Sequence, residues 1–202
     1  MKFAFAFSLF LVSFPGILHH RERKQPIHGG CCLAAGTHVC LGNGKDILIE
    51  DLKAGDTVMA FDRAKNIFLP SKVIRVAQTE HDGYVQVKFP APEGISGNEF
   101  VSLTISNDHP VWIKDKGWCS VEPAITMRVL GMKEVKKLLS QDVCYTMDSK
   151  NNVSEIEISS INKIPGAVKA YTIVQLENNL DCYFAGNIVV GVEAVQQESG
   201  GE

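Results

Sequence analysis

No stretch of this sequence stays apolar for the ~20 residues that a membrane-crossing helix requires. The apolar run Phe3–Phe14 is interrupted by Ser8 and Ser13 and stopped by Pro15-Gly16. Basic runs are scarce: "RERK" (Arg21–Lys24) is the longest, and the net charge is −3. Neither feature supplies the positive surface that nucleic-acid binding needs. There are six cysteines, yet no C-x-x-C pair and no Cys/His spacing that suits structural zinc. No Cys-Gly-Ser-Cys-Trp signature marks a multi-turnover cysteine peptidase. Helical periodicity is almost missing as well. It is confined to "GMKEVKKLLS" (Gly131–Ser140), with apolar residues at Met132, Val135 and Leu138–Leu139. These absences leave no candidate transmembrane helix and give no reason to expect nucleic-acid binding, structural zinc or a helical bundle.

What is present is ordinary globular material. The chain has 202 residues, 45% hydrophobic and 21% charged. That suffices for one well-filled domain with appendages. Short alternating segments rich in β-branched residues read as strands: "DTVMAFD", "SKVIRVAQT", "YVQVKF", "FVSLTIS", "DVCYTMD", "AYTIVQLE" and "GNIVVGVE" among them. Turn signals separate them at Gly42-Asn43-Gly44, Asp82-Gly83, Lys116-Gly117 and Pro165-Gly166. The expectation is an all-β domain with one short helix. A loose repeat relates "LKAGDTVMAFD" (Leu52–Asp62) to "LLSQDVCYTMD" (Leu138–Asp148). Two such units packed together would cover each other's edges and apolar faces, which predicts pseudo-twofold symmetry.

The N-terminal sixteen residues fit the charged and apolar regions of a secretory signal peptide, followed by a short polar segment, residues 17–31. The expected location is therefore secreted or extracellular, and the expected state monomeric. Residues 194–202 read as a polar tail.

The cysteines are unevenly placed. Cys31, Cys32 and Cys40 fall within ten residues; Cys119, Cys144 and Cys182 stand singly in apolar runs and read as buried small hydrophobes. Adjacent cysteines point apart along an extended backbone and add little to a fold. Cys31 and Cys32 thus call for a chemical reason, and a vicinal disulfide that silences one thiol is one option.

Three blocks carry a resemblance. "CLAAGTHVCLGNGKDILIEDLKAGDTVMAFD" begins with Cys32 and has Thr37 five residues on. "SNDHPVWIKDKGW" (Ser106–Trp118) holds His109-Pro110, and "AYTIVQLENNLDCYFAGNIVVGVE" closes the region. In this order they resemble the Hint domain, the fold shared by hedgehog autoprocessing domains and inteins, with the hedgehog ending the nearer. The resemblance spans Cys32 to about Glu193. It implies a horseshoe-like β-fold and a scissile bond between Cys31 and Cys32. It implies that Cys32 is the nucleophile of an N–S acyl shift, His109 the proton donor to the leaving nitrogen, and Ser106, in place of Thr, a partner of the scissile amide. Thr37 and Asp108 are weaker catalytic candidates with structural alternatives. Cys182, beside the closing block, could assist the thioester or simply pack.

The departures are informative. Splicing inteins end in His-Asn; Gly191 and Val192 stand there, so the asparagine cyclisation that completes splicing has no amide. Hedgehog domains activate cholesterol with an Asp where this chain has Gln78; Asp82 and His81 lie nearby but out of register. A sterol is thus the least expected acceptor. The resulting expectation is a single-turnover, cis-acting cysteine autoprotease. Its substrate is its own N-terminal segment, it uses no cofactor or metal, and its thioester is resolved by water, a thiol or an alcohol. The alternative is a catalytically degenerate Hint-fold domain kept for binding or structure.

Overall fold

The structure, a computed structural model, describes residues 30–91 and 100–193, with residues 80–82 described by their backbone alone. The expected signal peptide, most of the segment upstream of Cys32, the tail at 194–202, and the side chains of His81 and Asp82 lie outside the described residues.

Fourteen strands and one α-helix follow in chain order among them. They are β1 (Leu33–Ala34), β2 (His38–Cys40), β3 (Asp46–Leu48), β4 (Thr57–Asp62), β5 (Ile67–Pro90), β6 (Phe100–Ser106), β7 (Val111–Ile113) and β8 (Gly117–Ser120). After α1 (Pro123–Leu130) come β9 (Lys136–Lys137), β10 (Val143–Met147), β11 (Val153–Glu157), β12 (Ser160–Leu176), β13 (Cys182–Ala185) and β14 (Ile188–Gly191). All pairings are antiparallel except β8 with β9. The all-β expectation is met.

The spine is the long ribbon of β5 and β12, paired from Lys88–Ser160 to Val73–Leu176. Two turn signals fall inside it. Gly83 and Gly166 adopt φ of 89° and 90°, and the β12 register shifts between Ile164 and Ala167. Asp82-Gly83 and Pro165-Gly166 therefore bend strands rather than end them: glycine tolerates positive φ, and the pairing on either side continues.

The helix is also displaced from its expected place. Gly131–Ser140 is not helical; α1 lies just before it. Pro123 sits at its start and Gly131 closes it at φ 65° in the left-handed conformation. Pro at the first turn and Gly just beyond the last residue are the signals that mark these ends. Past Gly131, Lys136 and Lys137 pair with Cys119 and Ser120, and Val135 and Leu138 are buried, so the apolar spacing serves a strand edge.

The internal repeat is real in hydrogen-bond detail. In the first copy Lys53 N–H donates to Asp56 Oδ2 at 2.8 Å, Gly55 N–H to Val73 O at 2.8 Å, and Val73 N–H to Asp56 O at 2.8 Å. In the second, Leu139 N–H donates to Asp142 Oδ2 at 2.8 Å, Gln141 N–H to Ile158 O at 2.8 Å, and Ile158 N–H to Asp142 O at 2.9 Å. Gly55 and Gln141 hold the same positive-φ position, at 99° and 72°. The closing aspartates match too, since Asp62 and Asp148 each accept backbone N–H groups of the following turn. A short carboxylate that satisfies its own turn is the usual reason for Asp there.

One apolar core runs under both copies, and Val58, Val85, Ile105, Ile173, Tyr183 and Val190 are each at most 1% exposed within it. Truncating Ile173 to Ala should cost about 2–5 kcal/mol by emptying a packed site. The same change at Ile74, which is 43% exposed, should cost under about 1 kcal/mol. Urea unfolding midpoints of the two variants check this contrast.

Candidate functional site

The site forms where β1 slips between two strands. Leu33 pairs with Tyr171 of β12 on one side and Ile105 of β6 on the other. The preceding residue, Cys32, is thereby carried to the end of β6. Ser106 N–H donates to Cys32 O at 2.9 Å, and Cys32 N–H donates to Ser106 Oγ at 3.0 Å. The amide nitrogen of the Cys31–Cys32 bond is thus held by a buried hydroxyl. The Cys32 thiol turns back and donates to Gly30 O at 2.9 Å. Cys31, Cys32, Ser106 and His109 are all 0% exposed.

The turn after β6 aims the imidazole. His109 N–H donates to Ser106 O at 3.0 Å, and Asn107 N–H to Gly83 O at 2.9 Å. Asn107 Nδ2 also donates to Glu122 Oε1 at 3.0 Å. This explains the bend at Gly83, whose carbonyl receives the turn. Asp108 is 1% exposed, not a surface turn residue; its carbonyl accepts from Thr126 Oγ1 at 2.8 Å and from Cys31 Sγ at 3.2 Å. Both ring nitrogens of His109 are buried with no hydrogen-bond partner among the described residues. The ring still faces the Cys31 backbone closely enough for that carbonyl to favour the charged form.

Burial favours the neutral forms of both the His109 imidazole and the Cys32 thiol. Burial pushes His109 down to about 3, opposed only in part by the Cys31 backbone. An imidazole's ordinary value lies near neutrality; here loss of hydration disfavours the cation. Burial pushes the Cys32 thiol far up, and the negative charges of Glu193 and Asp108 add to it. Cys31 is raised for the same first reason.

The other candidates lie further out. Thr37 Oγ1 donates to Ala34 O at 2.7 Å, shaping the turn after β1. Cys182 Sγ donates to Phe61 O at 3.1 Å, in an apolar cluster with Phe61 and Val189 rather than with Cys32. Gln78 is exposed, opposite Tyr171 in the ribbon. All six cysteines are free thiols; Cys31 and Cys32 donate to different carbonyls rather than forming a vicinal disulfide. Among the described residues no three His, Cys, Asp or Glu side chains converge as metal ligands, and no helix is long and apolar enough to cross a membrane.

Two nearby residues escaped the sequence reading. Tyr183 of β13 is fully buried beside Cys32 and Glu193, and that burial raises its phenol. Glu193, just past β14, is 8% exposed, with its N–H on Ile173 O at 2.9 Å and its carboxylate against Gly30. A lone Glu after an apolar strand carries no signal of such a position.

These elements define the fold of a Hint domain, and solved inteins share it. A DnaB intein from Synechocystis superposes with a TM-score of 0.61 at 17% identity, covering 80% of this chain and 98% of the intein. A bacterial intein-like domain from Clostridium thermocellum gives 0.58 at 20% identity, over 79% and 97%. By sequence, residues 33–149 match the Ataxin-1 and HBP1 module, and the chain belongs to this AXH family. Mouse Ataxin-1 is 25% identical over 117 residues, 57% of this chain; the match covers only 14% of Ataxin-1. The family match holds Ser106 and His109 but begins one residue after Cys32 and ends before β11.

A histidine forced to stay neutral in the fold sets a pH dependence. Its folded value, about 3, lies below the unfolded value near 6.5. Between these values the unfolded chain binds the extra proton, so stability falls as pH drops below about 6.5, by up to about 1.4 kcal/mol per pH unit. A His109→Leu variant should show a shallower loss of melting temperature between pH 7 and pH 4 than the wild type.

Proposed function

We propose that this domain cleaves its own chain between Cys31 and Cys32. The observation that carries the reading is the geometry around that bond, with its N–H on Ser106 Oγ, its nucleophile folded back over Gly30, and an unpartnered imidazole facing its carbonyl residue.

The chemistry follows from the neutral resting state. Cys32 Sγ attacks the Cys31 carbonyl carbon while the thiol proton passes to neutral His109. The imidazolium so formed gives that proton to the Cys32 nitrogen, the C–N bond breaks, and a thioester joins the Cys31 acyl group to Cys32 Sγ. The shuttle needs no ion beforehand, which suits a dry site where either charge is costly. Ser106 holds the amide in register, and the fold makes the encounter intramolecular. Water or a small thiol or alcohol then adds to the thioester and releases the Cys32 thiol. We assign its approach to a cleft of about 590 Å³ lined by Pro110, Trp118, Met132 and Val192, of which Pro110 and Val192 are the chain neighbours of His109 and Glu193.

The reaction stops at one cut, as in the hedgehog type. No amide side chain stands at Val192, and residue 191 has no room for one of any kind. A Cβ there would lie 2.7 Å from Pro110 Cγ and 3.2 Å from Trp118. Export through the apolar N-terminal run is part of this reading. A binding role without catalysis is the second reading. It draws on the AXH match, which runs through the domain without reaching Cys32.

Intact-mass spectrometry of the chain bearing an upstream affinity tag separates the two. Wild type should break between Cys31 and Cys32, faster with added thiol, and Cys32→Ala should stay whole. Ser106→Ala leaves a buried N–H without its acceptor, worth about 1–3 kcal/mol, and should slow cleavage about tenfold or more. A folded wild type with reduced Cys32 that stays whole would leave only the binding role.

A further inference from the structure

We propose that the domain reads the two residues upstream of the cut, admitting only glycine at position 30 and a small side chain at position 31. This inference rests on the self-processing reading and names the class of segment it accepts.

The first half comes from Glu193. A Cβ built on Gly30 would lie 2.3 Å from Glu193 Oε1, 2.8 Å from Cδ and 3.3 Å from Oε2. The whole carboxylate fills the place of a side chain. Gly30 has no positive φ, so its backbone would tolerate alanine; space alone excludes it. The clash is with the end of the Glu193 side chain, which can turn away only within packed surroundings, since the residue is 8% exposed. Moving Gly30 instead would pull its carbonyl from the Cys32 thiol, the contact that holds the nucleophile.

The second half comes from Asp108. The Cys31 side chain is 0% exposed, and its Sγ reaches the Asp108 carbonyl at 3.2 Å. That carbonyl is itself fixed by Thr126 Oγ1 at 2.8 Å, and Thr126 is buried beside Ser120. A fully buried side chain with its Sγ against a fixed carbonyl suits a residue of cysteine, serine or alanine size, and a larger one would have to displace packed neighbours. The doubled cysteine is then explained without redox chemistry: Cys32 reacts, and Cys31 is the small group that seats the acyl half of the bond.

The test is a double-mutant cycle on the tagged chain, with excess small thiol so that thioester formation sets the rate. Gly30→Ala should slow the cut at least tenfold in the wild-type background and leave it unchanged in a Glu193→Gly background. Cys31→Ala should be cut within about threefold of wild type, and Cys31→Phe at least tenfold more slowly. A wild-type rate for Gly30→Ala, equal slowing in both Glu193 backgrounds, or a wild-type rate for Cys31→Phe would overturn the proposal. The same cycle on melting temperature, in an uncleavable Cys32→Ala background, should show Gly30→Ala destabilising only when Glu193 is present. Coupling in the melts with no cut in the wild type would sink the self-processing reading and leave the packing intact; absent coupling would sink the subsite.

Discussion

Everything at the site depends on the two hydrogen bonds exchanged by Cys32 and Ser106. One backbone N–H runs from Ser106 to Cys32 O, and one returns from Cys32 to Ser106 Oγ. The first continues the β1–β6 pairing by one more residue; the second replaces the next backbone acceptor with a hydroxyl. The sheet thus ends at the Cys31–Cys32 bond. Because Leu33 is clamped between β6 and β12, the bond before Cys32 has no freedom to leave. A strand that would otherwise be a short edge becomes a holder for its own upstream peptide.

The same enclosure sets the charge state. Cys32, Ser106 and His109 have no solvent exposure. Water that would support a thiolate or an imidazolium is gone, so burial dominates both shifts. The carboxyl groups of Asp108 and Glu193 reinforce this, since their negative charge opposes a free thiolate.

Family and fold give different views of the chain. The AXH match covers β1 through β10, including the turn with His109, and the intein superpositions cover about four-fifths of the chain. Between them lies the internal repeat, whose copies share one turn chemistry around Asp56 and Asp142. A sheet built from two such units needs β12 beside β5 and β13–β14 beside β4 and β7, and those closing strands carry Glu193 and Tyr183 to Cys32.

Much of this was legible before any coordinates. Alternation and β-branched residues marked the strands and the two Asp-bearing segments marked the repeat, because each depends on neighbours close in the chain; Cys32, Ser106 and His109, far apart in sequence, were named only through the resemblance of three separate blocks. The misplacements share one cause. Asp82-Gly83 and Pro165-Gly166 read as turns, and Gly131–Ser140 as a helix, because local preference cannot see a partner strand that continues the pairing or buries Val135 and Leu138. The neutrality of His109, the burial of Asp108 and the carboxylate of Glu193 on Gly30 lay outside any local pattern. They arise from residues far apart in sequence meeting where water is excluded. Sequence alone determined the strands, the repeat and which side chains are present; tertiary packing decided their charge, their solvent and what sits beside them.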